Sequence, residues 1–163
     1  MQWILAGLTL AVLLTSPALA GAKKKAEEQP VIVIQELRTG FRGLLWGAEQ
    51  DDLEDTLGLD DCRQVDPLVT NCLARKAELA IEGIPLLTVR YKFANERFCG
   101  IALKFKTSES DRMLALAMRL LGQPTSYKEM IPQWEDSEIV AWCSDIHLSI
   151  VSKKTVSEAA AAK

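Results

Sequence analysis

One stretch near the middle of the chain constrains the fold most, because it has the pattern of two strands joined by a tight turn. On its first half Leu87, Val89, Tyr91 and Phe93 alternate with Thr88, Arg90 and Lys92. On its second half Ile101, Leu103 and Phe105 alternate with Ala102 and Lys104. Such alternation is typical of strands with one buried face. The stretch therefore predicts a β-hairpin with one apolar and one basic face.

The turn of this hairpin decides which side chains face the core. Asn95 and Glu96 suit a two-residue turn, since Asn tolerates the positive φ that tight hairpins need. That turn pairs Phe93 with Phe98, and a bulge at Gly100 then returns the following apolar residues to the buried face. A three-residue turn at 95–97 would need no bulge and would send Phe98 outward. We favour the turn with the bulge.

Both registers give the hairpin the same basic outer face. Arg90, Lys92 and Lys104 share it, and Lys106 follows just beyond the strand. We interpret these four residues as a partner-binding surface, whereas the simpler alternative is an exposed face that only keeps the protein soluble.

Two helices are predicted on either side of the hairpin. The first covers about 48–57, with Leu53 and Leu57 on one face and Gly58 as its end. The second begins at a capping-box-like Ser108-x-x-Asp111 and ends at Gly122. Further strands are predicted at 73–79, from 133, at 139–143, and around an inward-facing Ile146, Leu148 and Ile150, which leaves His147 and Ser149 pointing outward. The fold class is therefore α+β, with two helices packed on an antiparallel sheet.

The first 20 residues have the features of a secretory signal peptide. They carry no charge, and the apolar run at 3–14 is shorter than the roughly 20 residues that span a bilayer. Ala18-Leu19-Ala20 supplies a cleavage site, which predicts a periplasmic or secreted protein without a stable membrane span. An uncleaved anchor is the alternative, because basic residues follow at 23–25 and none precedes the run.

The rest of the chain divides into three predicted parts. Residues 21–40 are a linker with an N-terminal strand at 31–34, residues 41–152 are a single α+β domain, and residues 153–163 are a flexible tail, either a frayed helix or disordered. The mature chain has a net charge of −3, which argues against nucleic-acid binding.

Four cysteines in an exported chain predict two disulfides. Three pairings are possible, and we favour Cys62–Cys72 and Cys99–Cys143. No C-x-x-C spacing is present, so neither a zinc site nor a thioredoxin-like redox site is predicted.

Residues 49–61 contain seven acids and no basic residue. A solvated helix face explains them most simply, since acids are favoured near a helix N-terminus. A metal site and a surface for a basic partner are weaker alternatives, and we predict no metal and no cofactor.

The sequence lacks the common catalytic motifs. His147 is the single histidine, Asp145 is its one local acid, and Cys143 is the nearest thiol. Neither a nucleophile elbow nor a P-loop nor a dinucleotide fingerprint is present. We therefore predict no catalytic residues, and a thiol or hydrolytic enzyme that uses Cys143 and His147 is the least favoured hypothesis.

Several local motifs resemble those of small exported bacterial proteins of unknown function. They are Phe41-x-Gly43-x-x-Trp46-Gly47, Tyr91-x-Phe93, Phe98-x-x-Ile101, Leu121-Gly122-x-Pro124 and Trp134. More distantly, the arrangement is similar to the module of the SmpA/OmlA outer-membrane assembly lipoproteins and of β-lactamase-inhibitor proteins. The resemblance implies a protein-binding role, and a helix-then-strands unit that occurs twice, with the helix of each unit ending at Gly58 and at Gly122. The lipidation cysteine of the assembly lipoproteins is missing here.

Taken together, these features predict an exported, non-enzymatic module that binds a protein or a cell-envelope component. The first alternative is a small-ligand carrier with an apolar pocket between the sheet and the second helix, lined by Trp46, Tyr91 and Trp134.

Overall fold

The computed structural model describes residues 37–162, so the predicted signal peptide, the strand at 31–34 and the predicted linker up to residue 36 lie outside the described residues. The helices are α1 Gln50–Leu57, α2 Ser110–Leu121 and α3 Lys153–Ala161. The strands are β1 Gly40–Phe41, β2 Leu44–Leu45, β3 Leu59–Gln64, β4 Val69–Ala74, β5 Ala80–Ile81, β6 Ile84–Ala94, β7 Arg97–Phe105, β8 Ser126–Lys128, β9 Ile131–Glu135, β10 Ile139–Cys143 and β11 His147–Ser152. The predicted α+β class, with helices on an antiparallel sheet, is confirmed.

One large antiparallel sheet organises the molecule. Its strand order is β3-β4-β6-β7-β11-β10-β9-β8, and β5 pairs with the start of β6. The chain therefore passes twice through the same sequence of a helix followed by a four-stranded meander, first α1-β3-β4-β6-β7 and then α2-β8-β9-β10-β11. The two units meet where their last strands, β7 and β11, pair with each other. This is the arrangement expected of a tandem helix-then-strands unit.

The hairpin of β6 and β7 has the two-residue turn and the bulge. Phe93 pairs with Phe98 and Ala94 pairs with Arg97. Lys92 then pairs with Gly100, so β7 has one extra residue between Phe98 and Gly100, and this is the bulge. Both turn residues have positive φ, 47° at Asn95 and 63° at Glu96, as a type I′ turn requires.

A second irregularity in the hairpin was not predicted, and it concerns Leu87. The register shifts between Leu86 and Thr88, so Leu86 takes the buried position opposite Phe105. Leu87 is 46% exposed, and its assignment to the buried face is wrong. The extra residue in β6 explains the error, because alternation predicts faces only where each strand advances by the same number of residues.

The helices α1 and α2 cover the same face of the sheet. Leu53 and Leu57 of α1 and Met113, Leu116 and Ala117 of α2 share one core with the apolar side of the hairpin. Full burial of an apolar side chain stabilises the fold by roughly 1.5–3 kcal/mol, so this continuous layer is what holds the helices in place. Gly58 ends α1 in the left-handed conformation, as predicted.

The C-terminal residues form a third helix with buried residues, so a flexible or disordered tail is wrong for 153–162, and the helical alternative agrees with the structure. Ser152 caps α3 by accepting a hydrogen bond from the backbone of Thr155. Ala159 packs against Ala94 and Cys99 at the turn end of the hairpin. The small buried residues Thr155 and Ala159 hold α3 against the sheet, although the helix lacks a broad apolar stripe.

One of the two predicted disulfides is present. Cys62 and Cys72 are bonded across the neighbouring strands β3 and β4. Cys99 and Cys143 are free and buried, so their predicted pairing is wrong. The strand β11 lies between β7 and β10, which puts these residues about 10 Å apart or more, beyond the reach of a disulfide.

Within residues 37–162, the helices are too short and too polar to cross a bilayer.

Candidate functional site: a cationic cavity on the outer sheet face

The sheet face opposite α1 and α2 carries a cavity of about 540 Å³ over its central strands. The register explains its position, because Arg90 of β6, Ala102 of β7, Ser149 of β11 and Trp142 of β10 form one cross-strand row. In the neighbouring row Gly100 lies opposite Lys92. The small side chains of Ala102 and Ser149 therefore lie at the centre of the first row, and the longer side chains of Arg90 and Trp142 lie at its ends. We call Arg90, Lys92, Lys104, Trp142, His147 and Ser149 the cationic face.

Lys92 reaches across this cavity and is largely buried there. Its Nζ donates a hydrogen bond to Ser149 Oγ at 2.6 Å and lies 4.8 Å from the ring centroid of Trp142. Ser149 Oγ in turn donates to the carbonyl of Ile101 at 3.1 Å. Burial lowers the pKa of Lys92, because removal from water disfavours its charged form. Among the described residues, no carboxylate forms an ion pair with Lys92.

Arg90 lies on the same face but already has a partner. Its Nη2 is 2.5 Å from Asp61 Oδ2, and its Nη1 donates to the backbone carbonyls of Asp61 and Asn71. The hydrogen bonds from Arg90, and then from Arg63, lower the pKa of the Asp61 carboxyl. Arg90 therefore joins β6 to the edge strand β3 and is not a free cation.

Lys104 and His147 lie side by side at the other end of the cavity. They pair across β7 and β11, and Lys104 is exposed. Burial, with a smaller contribution from the neighbouring Lys104 charge, lowers the pKa of His147. The lowered pKa favours the neutral form of His147, so Lys104 is the accessible cation of the pair.

Lys106, the fourth predicted partner-binding residue, lies apart from the other three. It follows the end of β7, immediately before the turn Thr107–Glu109, and does not line the cavity. The structure therefore brings Arg90, Lys92 and Lys104 together and separates Lys106 from them.

The other predicted sites do not assemble in the described residues. Cys143 belongs to the core on the helix side of the sheet, whereas His147 lines the outer cavity. Burial, with a smaller effect of Asp145, raises the pKa of the Cys143 thiol to about 11, so it is protonated at neutral pH.

The aromatic residues proposed for an apolar pocket are packed together with the core. Tyr91 is buried and lies 5.3 Å, centroid to centroid, from Phe98, which Trp46 contacts at 4.8 Å. Trp134 is buried as well, and its Nε1 donates to the carbonyl of Gly122 at 2.8 Å. This close packing counts against a ligand pocket at that position.

The acidic stretch at 49–61 is divided between α1 and β3. Its last two acids are neutralised, since Asp60 pairs with Arg75 and Asp61 pairs with Arg63 and Arg90. No group of three or more metal-binding side chains occurs in the described part of the chain.

Sequence reasoning identified the outward direction of His147 and Ser149 but missed Trp142 and Asn71. Trp142 lies between the buried Ala141 and Cys143 on β10. Alternation along this strand would have placed the Trp142 side chain on the outer face. Asn71 offered no signal, because β4 was predicted about four residues later than it begins.

Comparisons of the chain with protein-family models, with curated proteins and with solved structures found no match. The resemblance to SmpA/OmlA-type modules therefore stays a prediction.

Proposed function

We propose that this protein is an exported, non-enzymatic binding module that holds an acidic segment of a protein partner on its cationic face. The observation that carries the proposal is that Lys92 and Lys104, on an open concave sheet face, form no ion pair with a carboxylate of residues 37–162. In a chain with a net charge of −3, a concave positive surface is a local feature that attracts anionic groups. The disulfide between Cys62 and Cys72 supports export.

A protein partner fits this face better than a small apolar ligand does. Lys92 and Lys104 lie on the neighbouring strands β6 and β7, so an extended acidic segment can meet both of them. Trp142 adds an aromatic surface of the kind that is enriched in protein interfaces. Charge complementarity of this kind sets specificity and association rate more than it sets total affinity.

The test compares two charge reversals of equal size. Lys104→Glu changes the cationic face, and Lys106→Glu makes the same change in net charge outside the cavity. Arg90 is unsuitable for this purpose, because its loss would break its contacts with Asp61 and Asn71. The probe is a short fluorescent peptide rich in glutamate, and binding is followed by fluorescence anisotropy at low and at physiological ionic strength.

We expect Lys104→Glu to weaken peptide binding by about tenfold or more, because it replaces an attraction with a repulsion, and Lys106→Glu to change it by less than about twofold. Equal effects of the two variants would contradict the proposal. Binding of anionic lipid vesicles without binding of the peptide would contradict it too, since the partner would then be an envelope surface.

A further inference from the structure

Lys92 is a charged group for which residues 37–162 supply no counter-charge. Its ammonium has three N–H donors, and one of them goes to Ser149. The other two have no acceptor among the described residues, and the ring face of Trp142 lies beside them. A buried ammonium is costly unless it is paired with an anion or fully hydrogen-bonded. The structure therefore holds a cation in place without completing its surroundings.

A second unsatisfied polar group lies next to Lys92. Asn71 pairs with Lys92 across β4 and β6 and also lines the cavity. Its Oδ1 is buried and has no hydrogen-bond partner in the described structure. Because the oxygen and nitrogen of an Asn amide are assigned from their partners, an acceptor in the cavity would turn the NH₂ group toward it.

The neighbouring groups do not supply the missing charge. Cys99 is close enough to interact electrostatically with Lys92, but burial raises the pKa of its thiol to about 11, so the thiol is neutral at pH 7. The carboxylate of Asp61 is held by Arg90 and Arg63. An anion that completes the site has to come from outside these residues.

We infer that Lys92 and Asn71, with Lys104 at the rim, form a subsite for a compact oxyanion, either a carboxylate or a phosphate group. Such groups accept several N–H bonds at once, and charge-assisted bonds of this kind are short and strong. The cavity is far larger than one oxyanion, so the group belongs to a larger molecule whose remaining part lies along Trp142. This inference rests on the proposed function, because one carboxylate of the acidic segment would occupy the subsite.

The test uses inorganic phosphate and glutarate as probes, with binding measured by calorimetry and by tryptophan fluorescence. Lys92→Met keeps the length of the side chain and removes its charge, and Lys128→Met is a matched control at an exposed position on β8. Lys92→Met also removes the hydrogen bond to Ser149, so urea unfolding of both variants checks that a loss of binding is not caused by unfolding. We expect Lys92→Met to weaken binding of at least one probe by about tenfold or more and Lys128→Met to leave it unchanged.

Each outcome separates this inference from the proposed function. Preference for glutarate supports a carboxylate in the subsite, and preference for phosphate supports a phosphate group. If neither probe binds, or if Lys92→Met binds them as well as the native chain does, the subsite is refuted. In that case the glutamate-rich peptide can still bind through Lys104, and the proposed function stands. Binding of phosphate without binding of the peptide would uphold the subsite and refute the proposed function.

Discussion

Arg90 and Lys92 are two residues apart on β6, and their surroundings give them different roles. Arg90 is surrounded by oxygen acceptors from Asp61 and Asn71, so it stabilises the pairing of the edge strands. Lys92 has a hydroxyl and an aromatic ring beside it and no carboxylate within the described structure. The difference follows from position, because Arg90 points toward the bulged edge strand β3 and Lys92 lies across the small Gly100.

His147 should make the stability of the protein depend on pH. Burial and Lys104 lower its pKa in the folded state, whereas an unfolded chain has a His pKa of about 6.5. The unfolded state then binds the proton more readily, so the free energy of unfolding falls as the pH drops below about 6.5 and levels off below the folded pKa. We expect His147→Gln to remove this part of the dependence in urea unfolding measured at several pH values. An identical pH profile in both proteins would contradict the assignment.

The free thiols should be inaccessible in the folded protein. Cys99 and Cys143 are 0% and 4% exposed, and burial raises the pKa of each to about 11, so little reactive thiolate is present. We expect iodoacetamide to leave both unmodified in the native protein and to modify both after unfolding without a reductant. Mass spectrometry counts the modified residues. Two disulfides, and hence no modification after unfolding, would contradict the structure.

The sequence predicts the direction of these side chains better than it predicts their partners. Alternation places Arg90, Lys92 and Lys104 on one face, and the register confirms this. The contact of Arg90 with Asp61 could not be predicted, because β3 bulges between Asp60 and Arg63, where Asp61 has a φ of 45°. A bulge of this kind depends on the pairing of distant strands, which a local pattern does not contain.

Among the elements, the edge strands and the last helix were the hardest to predict. The residues of β8 are all exposed, so this strand has no apolar alternation. The strand β3 carries adjacent acids at Asp60 and Asp61, which favoured a helix face as the interpretation. Edge strands tolerate such residues, since one side of each is not paired within the sheet. The helix α3 is held by Thr155 and Ala159, which are too small to form a clear apolar stripe.

The cap of α3 offers a direct test of that helix. Ser152 accepts a hydrogen bond from the backbone N–H of Thr155, and the two hydroxyls are 3.1 Å apart in a buried position. We expect Ser152→Ala to lower the free energy of unfolding by about 1 kcal/mol, which is the usual contribution of a serine cap. Ser157→Ala is the control, because Ser157 is exposed within the same helix and should change stability little. If both variants change the free energy of unfolding equally, the Ser152 cap does not stabilise α3.

At the scale of the whole molecule, the fold depends on the seam between its two meanders. The helix-then-strands unit could be predicted to occur twice from the two Leu-Gly helix ends, at Gly58 and Gly122. The order of the strands could not, because the pairing of β7 with β11 joins residues more than 40 positions apart, such as Lys104 and His147. The cationic cavity lies over this seam, so its cations come from one unit and His147, Ser149 and Trp142 from the other.

Gly100 allows the two meanders to approach each other, and its replacement should weaken both the fold and the cavity. A Cβ at this position would lie 2.5 Å from the backbone carbonyl oxygen of Ile150, so β11 would have to move away from β7. We expect Gly100→Ala to lower the free energy of unfolding by about 3 kcal/mol, the upper part of the usual range for overpacking. Gly83→Ala is the control, because Gly83 has a φ of 72° and open space around it, and only the backbone cost of about 1 kcal/mol applies.

Because Gly100 also lies opposite Lys92, Gly100→Ala should weaken glutamate-peptide binding as well, whereas Gly83→Ala should not. If Gly100→Ala is no more destabilising than Gly83→Ala, the seam is not closely packed and does not determine the shape of the cavity.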